Sequence, residues 1–162
     1  MSIFPSASDS CYERRMRINA RRVRLGWGYE FLPRFGWERL ITLTTGPKRF
    51  ARASEDRVSR DVHRLCCELS YLSRFAVSWA YAVEGGGGPA LHAHVLVMNE
   101  SPTARRAVLT GWQARNGRVT HCREVDDVRA ASAYLCRSIG PNGEVVLSDS
   151  LITCGGGAIP PA

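Results

Sequence analysis

Two histidines and one glutamate are the residues of this chain whose types and spacing could do metal chemistry. The stretch from Trp79 to Met98 reads WAYAVEGGGGPALHAHVLVM, in which apolar and polar residues alternate on both sides of a glycine-rich turn. This pattern predicts two antiparallel strands. Because strand side chains alternate between faces, His92 and His94 share one face, and the turn returns Glu84 beside them. The three side chains supply mixed N and O ligands, which suit Mn²⁺ or Mg²⁺ and also fit Zn²⁺.

A second reactive group is Tyr134, which lies in the predicted helix DDVRAASAYLCRSI. Leu135 belongs to the apolar stripe that should face the core, and Tyr134 is rotated by about 100° from it. Arg137 follows about one turn later on the same side as Tyr134. A tyrosine in a helix is more often a packed aromatic. Beside the histidine pair, however, this one predicts a phenol that reaches towards the metal face with a basic residue next to it.

The charge of the chain favours a nucleic-acid partner. The net charge is +7, from 22 basic and 15 acidic residues, and Lys48 is the sole lysine. Arginine binds phosphates bidentately and stacks on bases. Six arginines fall in one short segment near the N-terminus: Arg14, Arg15, Arg17, Arg21, Arg22 and Arg24. We expect this basic arm to contact phosphates, although such a run can also be only a solvated face.

The order of predicted elements indicates an α+β fold. A strand at 39–45 is followed by a helix from residue 55, the hairpin, a helix at 102–115, a strand at 118–125, a helix to about residue 139 and an extended piece at 144–153. We expect a single domain at 39–154 with a central antiparallel sheet of four to five strands and helices packed on one face. Residues 1–38 would form the basic arm and a loop, and 155–162 a flexible tail.

Cysteine usage and the N-terminus bear on the compartment. The six cysteines contain no C-x-x-C pair, so we interpret them as reduced thiols in a cytoplasmic or equivalent reducing compartment. The alternative is a zinc site that uses His63 with Cys66 or Cys67. The N-terminus does not read as a secretory signal, and no stretch is apolar for long enough to span a membrane, so we expect no membrane association.

Together these motifs resemble the HUH endonucleases that start rolling-circle replication of single-stranded DNA viruses, phages and plasmids. Three motifs occur in the family's order over roughly residues 39–140. They are the strand LITLTT, the E-x7-H-x-H metal motif at Glu84, His92 and His94, and a Y-x-x-K-like motif at Tyr134 and Arg137. The second motif is the most specific. The departure is Arg137, where the family usually has lysine.

The resemblance implies a ferredoxin-like or RRM-like fold and a metal-dependent, site-specific single-stranded DNA endonuclease that also rejoins strands. Tyr134 would form a 5′-phosphotyrosine, Arg137 would lie beside the phosphate, and Mn²⁺ or Mg²⁺ would bind the Glu84, His92 and His94 motif. Thr42 and Thr44, with the basic arm, would position the strand or help hold an origin hairpin. The implied partners are single-stranded DNA or an origin hairpin and, in trans, a host helicase and polymerase.

Two alternatives remain open at this stage. One is a transposase or a mobilisation relaxase with the same chemistry, which the residues do not distinguish from a replication initiator. The other is a non-catalytic single-stranded nucleic-acid-binding module with an RRM-like sheet, in which histidines and aromatic residues stack on bases. The binding module needs no metal, whereas the endonuclease needs metal and leaves a covalent adduct.

Overall fold

The computed structural model describes residues 22–45, 55–84, 91–137, 139 and 145–154. The basic arm up to Arg21 and the tail 155–162 lie outside the described residues. The elements, in chain order, are a π-helix (Gly26–Phe31), a 3-10 helix (Leu32–Arg34), β1 (Arg39–Thr45), α1 (Glu55–Ser73), β2 (Ser78–Glu84), β3 (His92–Met98), α2 (Pro102–Arg115), β4 (Gly117–Glu124), α3 (Val128–Cys136), β5 (Val145–Leu147) and α4 (Asp149–Cys154).

The five strands form one antiparallel sheet in the order β4-β1-β3-β2-β5. From β1 to β4 the chain follows the β-α-β-β-α-β order of ferredoxin-like domains, and β5 extends the sheet beyond β2. The expected single α+β domain with a central antiparallel sheet is therefore confirmed. None of the described helices is both long enough and apolar enough to cross a membrane.

Helices α1 and α2 pack on the first face of the sheet. Val62 and Leu65 of α1 and Trp112 of α2 are buried there against Ile41 and Val95. The capping residue of α2 is Ser101, whose side chain accepts the N–H of Ala104 at 3.4 Å, and Pro102 occupies the first turn. Alternation along β2 and β3 sends apolar side chains of both strands, such as Tyr81 and Val95, to this face.

The second face departs from the expectation that helices would cover one face only. Leu40, Ala80 and Leu96 project from the centre of this face and are at most 2% exposed. Such apolar side chains need cover. Helix α3 supplies part of it with Leu135, and Ile139 just beyond the helix supplies more. The face that carries the histidines is consequently half covered rather than open.

Residues 22–38 pack against the domain from this second side. Leu32 and Trp37 are buried, and the Trp37 indole donates a hydrogen bond to the Leu32 carbonyl at 2.8 Å. Arg24 donates through Nε to the carbonyl oxygen of Ile139 at 2.8 Å. The basic arm is therefore tied, at its C-terminal end, to the chain that follows α3.

The C-terminal piece is shorter as a strand than the sequence indicates. Residues 144–153 were expected to be extended, whereas the strand covers Val145–Leu147 and Asp149–Cys154 is helical. Ser148 ends the strand: its hydroxyl accepts the N–H of Trp79 at 3.0 Å and its own N–H bonds the Trp79 carbonyl at 2.9 Å. This pairing holds the end of β5 on the edge of β2.

The contact between the π-helix and α3 yields a stability prediction. A Cβ on Gly28 would lie 3.2 Å from the Cβ of Cys136 and 3.3 Å from the Cα of Ala133, whereas a Cβ on Gly26 would meet nothing within 4 Å. Gly28→Leu should lower the free energy of unfolding by about 1–3 kcal/mol because it overpacks this contact. Chemical denaturation measures the change. The matched variant Gly26→Leu should leave stability nearly unchanged, and equal losses in both variants would contradict the packing argument.

Candidate functional site

Strand register brings the predicted site residues together in two adjacent rows. Thr42 of β1 and Ala82 of β2 flank His94, and Thr44 and Glu84 flank His92 in the next row. The first row is buried, with His94 only 2% exposed, and the second row is half-buried. The predicted placement of both histidines and Glu84 on one face is therefore confirmed.

Each histidine is held by a threonine of the neighbouring strand. The Thr42 hydroxyl lies 3.1 Å from Nδ1 of His94, and the Thr44 hydroxyl lies 2.9 Å from Nδ1 of His92. A hydroxyl can donate or accept, so each threonine fits either tautomer of its imidazole. In both rings Nδ1 is engaged by a threonine, so Nε2 is the ring nitrogen left to contact another group. The threonines, expected to contact the DNA strand, thus orient the histidines.

Glu84 contacts the histidine diagonal to it. Its Oε2 lies 3.2 Å from Nε2 of His94. Burial lowers the pKa of His94 below its usual value, and the nearby charges of His92 and Arg137 lower it further, while the Glu84 hydrogen bond and charge oppose this. His94 is consequently neutral at neutral pH. Its Nε2 donates to the carboxylate, and its Nδ1 then accepts from Thr42.

Helix α3 delivers Tyr134 to this cluster. The Tyr134 ring packs edge-on against the His94 ring, with centroids 4.8 Å apart and planes at 69°. Leu135 points into the core at 0% exposure, so the expected rotation between these two side chains is confirmed. The guanidinium carbon of Arg137 lies 4.5 Å from the Tyr134 ring centroid.

A second arginine near the tyrosine was not predicted from the sequence. The guanidinium carbon of Arg123 lies 5.9 Å from the Tyr134 ring centroid. Arg123 stands opposite Leu40 in the register of β4 with β1. That register has a shift between Thr42 and Leu43, so strand alternation alone does not assign β4 side chains to faces. The tyrosine is therefore flanked by two cations.

The fit of a metal ion can be judged from the donor set. Carboxylate oxygen and imidazole nitrogen are ligands for Mn²⁺ and Zn²⁺, and histidine ligands are commonly fixed through the other ring nitrogen, as Thr42 and Thr44 do here. Glu84 and His94 converge already. Among the described residues, however, no three His, Cys, Asp or Glu side chains lie close enough together to hold an ion as they stand. Binding would therefore require the His92 and Glu84 side chains, which are half-buried, to move together.

The described part of the basic arm is Arg22 and Arg24. Arg22 is exposed, and Arg24 uses Nε to bond the Ile139 carbonyl. Because Ile139 follows Arg137 by two residues, this bond holds Arg24 at the chain just beyond α3. The other four arginines, Arg14, Arg15, Arg17 and Arg21, lie outside the described residues, so their phosphate contacts stay a prediction.

The alternative zinc site does not assemble. His63 packs its ring edge-on against Trp79, with centroids 5.4 Å apart. Cys66 is fully buried, where desolvation raises the pKa of its thiol, and Cys67 is exposed. Since a zinc ligand is a thiolate, a thiol with a raised pKa is a poor one.

Comparison with known proteins adds no relative. No family model matches this chain, and neither a curated protein nor a solved structure matches it. The functional interpretation depends on the residues and geometry of the chain itself.

The buried imidazole predicts a pH dependence of stability in metal-free protein. The pKa of His94 is near 6.5 in the unfolded chain. In the folded chain it is lower, because burial disfavours the charged ring. The free energy of unfolding should therefore fall as pH drops below 6.5, by at most about 1.4 kcal/mol per pH unit from this residue. Urea denaturation in EDTA measures it.

The check is a variant that lacks this imidazole. His94→Gln should flatten the fall below pH 6.5. An unchanged profile in His94→Gln would contradict the assignment of a neutral, buried imidazole.

Proposed function

We propose that this chain is a metal-dependent single-stranded DNA nicking and joining endonuclease of the HUH type, which initiates rolling-circle replication. The observation that carries the proposal is the contact of the Tyr134 ring with the ring of His94, 4.8 Å between centroids, beside two arginines. A phenol, a histidine–carboxylate pair and cations in one cluster are the groups that phosphoryl transfer to tyrosine requires.

Glu84, His92 and His94 are the residues that would hold the divalent ion. Their donor atoms suit Mn²⁺ better than Mg²⁺, which prefers oxygen ligands, and both histidines are oriented through Nδ1 by threonines. An ion bound there would supply Lewis-acid polarisation of a phosphate oxygen. In that role Nε2 of His94 would carry no proton, and Nδ1 would donate to the Thr42 hydroxyl, which can rotate to accept.

Tyr134 would carry the covalent step. A bond forms between its phenolic oxygen and the scissile phosphorus, and the bond from phosphorus to the 3′-oxygen breaks. The phenolic proton leaves to solvent, and the departing 3′-oxygen takes up a proton to become a free 3′-hydroxyl. Arg137 and Arg123 stabilise the negative charge on the phosphate and on the attacking oxygen. The phosphotyrosine conserves the bond energy, so the same residue can rejoin the strand.

This chemistry determines the partners. A free 3′-hydroxyl is the primer that a host polymerase extends, and a host helicase in trans would separate the strands. The strand itself enters as single-stranded DNA or as an origin hairpin, with the basic arm at its phosphates. A transposase or a mobilisation relaxase would use the same residues for strand transfer.

The binding-module alternative is less well supported. An RRM-like binder stacks bases on an open sheet face. Here α3 lies over that face, and His94 is 2% exposed and in contact with Tyr134, so its ring has no free surface for a base. The burial of His94 therefore argues against a base-stacking role for this residue.

The metal ligands are tested by substitution. His92→Ala and His94→Ala should each abolish cleavage of a random-sequence, labelled single-stranded DNA library in Mn²⁺, because each removes one of three proposed ligands. EDTA should do the same to the unaltered chain. His63→Ala, an exposed histidine outside the site, is the control and should cleave normally. Full activity in EDTA would contradict a metal-dependent reaction.

The nucleophile is tested by removing one oxygen atom. Tyr134→Phe should keep DNA affinity, measured by fluorescence anisotropy, because the ring and its packing survive, yet it should form no covalent adduct on a denaturing gel. Tyr71→Phe is the matched control, since Tyr71 is 82% exposed on α1. Arg137→Lys should keep activity and Arg137→Ala should slow the reaction by about 10²-fold, as loss of a charge-stabilising donor does. A normal adduct in Tyr134→Phe would refute the assignment.

A further inference from the structure

A groove on the reverse side of β4 is not used by the site described above. It lies between α2 and β4 at the outer edge of the sheet and has a volume of about 420 Å³. Small-molecule pockets range over roughly 300–1,000 Å³, so the groove is large enough for one small ligand unit. Leu109 and Val119 form its apolar walls, and Arg106 and Gln113 bring polar groups to it.

The groove and Tyr134 lie on the two sides of one edge strand. Cys122 lines the groove, and the next residue, Arg123, reaches the Tyr134 ring on the other side. Consecutive strand residues point to opposite faces and their Cα atoms are about 3.8 Å apart. Because β4 is the last strand of the sheet, a strand of DNA leaving Tyr134 has only the backbone of β4 to cross.

The charges around the groove suit a phosphate. Glu100, whose side chain is 3% exposed, is paired with Arg105 and lies 3.9 Å from Arg39. Glu124 is paired with Arg39 at 2.8 Å. The acidic groups of this region are thus engaged by arginines, and Arg106 lies exposed at the groove. The groove therefore combines apolar walls, hydrogen-bonding side chains and a cation.

We propose that this groove binds one unpaired nucleotide of the DNA strand whose scissile phosphate lies at Tyr134. The base lies between Leu109 and Val119, Gln113 hydrogen-bonds to its edge, and Arg106 contacts its phosphate. Gln is a bidentate partner of adenine elsewhere, which makes the groove a source of sequence preference. This inference rests on the proposed function, since it takes the strand and its path from the tyrosine site.

Thiol protection tests the groove with an internal control. Cys122 lines the groove, and Cys67 is exposed on α1, away from it. Alkylation by iodoacetamide is followed for each thiol by peptide mass spectrometry in full-length Tyr134→Phe protein with Mn²⁺, with and without a random-sequence single-stranded DNA library. Each thiol is compared with itself, so the raised pKa of Cys122 does not affect the ratio. DNA should slow the modification of Cys122 several-fold and leave Cys67 unchanged.

Two variants add a binding readout. Thr110→Trp fills the groove from an exposed position of α2, and Arg106→Glu reverses its charge. Each should weaken single-stranded DNA binding by about tenfold in fluorescence anisotropy, and Thr110→Trp should also change which library sequences are enriched. Arg60→Glu, the same charge change at an exposed position of α1, is the control and should weaken binding much less.

The outcomes separate this inference from the proposed function. If the chain forms the covalent adduct while DNA leaves Cys122 unprotected, the groove assignment is wrong and the proposed function stands. If DNA neither binds nor forms an adduct, both are wrong. Equal protection of Cys122 and Cys67, or protection of Cys122 by a free deoxynucleoside monophosphate but not by the strand, would also overturn the inference.

Discussion

The hydrogen bonds from two threonines of β1 to two histidines of β3 are the constraint on which the candidate site depends. They join Thr42 to His94 and Thr44 to His92, and they exist only in one register of these strands. A slip by one residue would turn every side chain of a strand to the opposite face. Burial of Ile41 and Val95 on the first face holds this register. The same strand pairing therefore packs the core and orients the imidazoles.

The second face of the sheet carries both buried apolar side chains and the candidate site. Leu40, Ala80 and Leu96 must be covered, while the proposed site must remain accessible to a substrate. The chain divides the face by rows: α3 covers the row of His94, and the row of His92 and Glu84 stays half-buried. The same helix that covers the apolar side chains carries Tyr134. Covering the core therefore positions the phenol and removes water from His94, which keeps this imidazole neutral.

Local alternation and helical periodicity were enough to predict the hairpin, the sharing of one face by His92, His94 and Glu84, and the rotation of Tyr134 away from Leu135. These depend on residues close in sequence, where backbone geometry sets side-chain direction. The cover of the second face by residues 22–38 was not predictable in this way, because it depends on contacts such as Arg24 with Ile139, which are 115 residues apart. Arg123 was missed because the shift in register of β4 interrupts simple alternation. The diagonal pairing of Glu84 with His94, rather than with its direct neighbour His92, follows from side-chain rotamers that a strand pattern does not determine.

The most direct test of the account is to find the residue that carries the DNA. The chain would be incubated with a random-sequence single-stranded DNA library and Mn²⁺, then treated with nuclease and protease, and the nucleotide remnant would be located by peptide mass spectrometry. The account predicts the remnant on Tyr134. A remnant on Tyr29 or Tyr71, which are 60% and 82% exposed, or DNA binding without any covalent remnant, would contradict it.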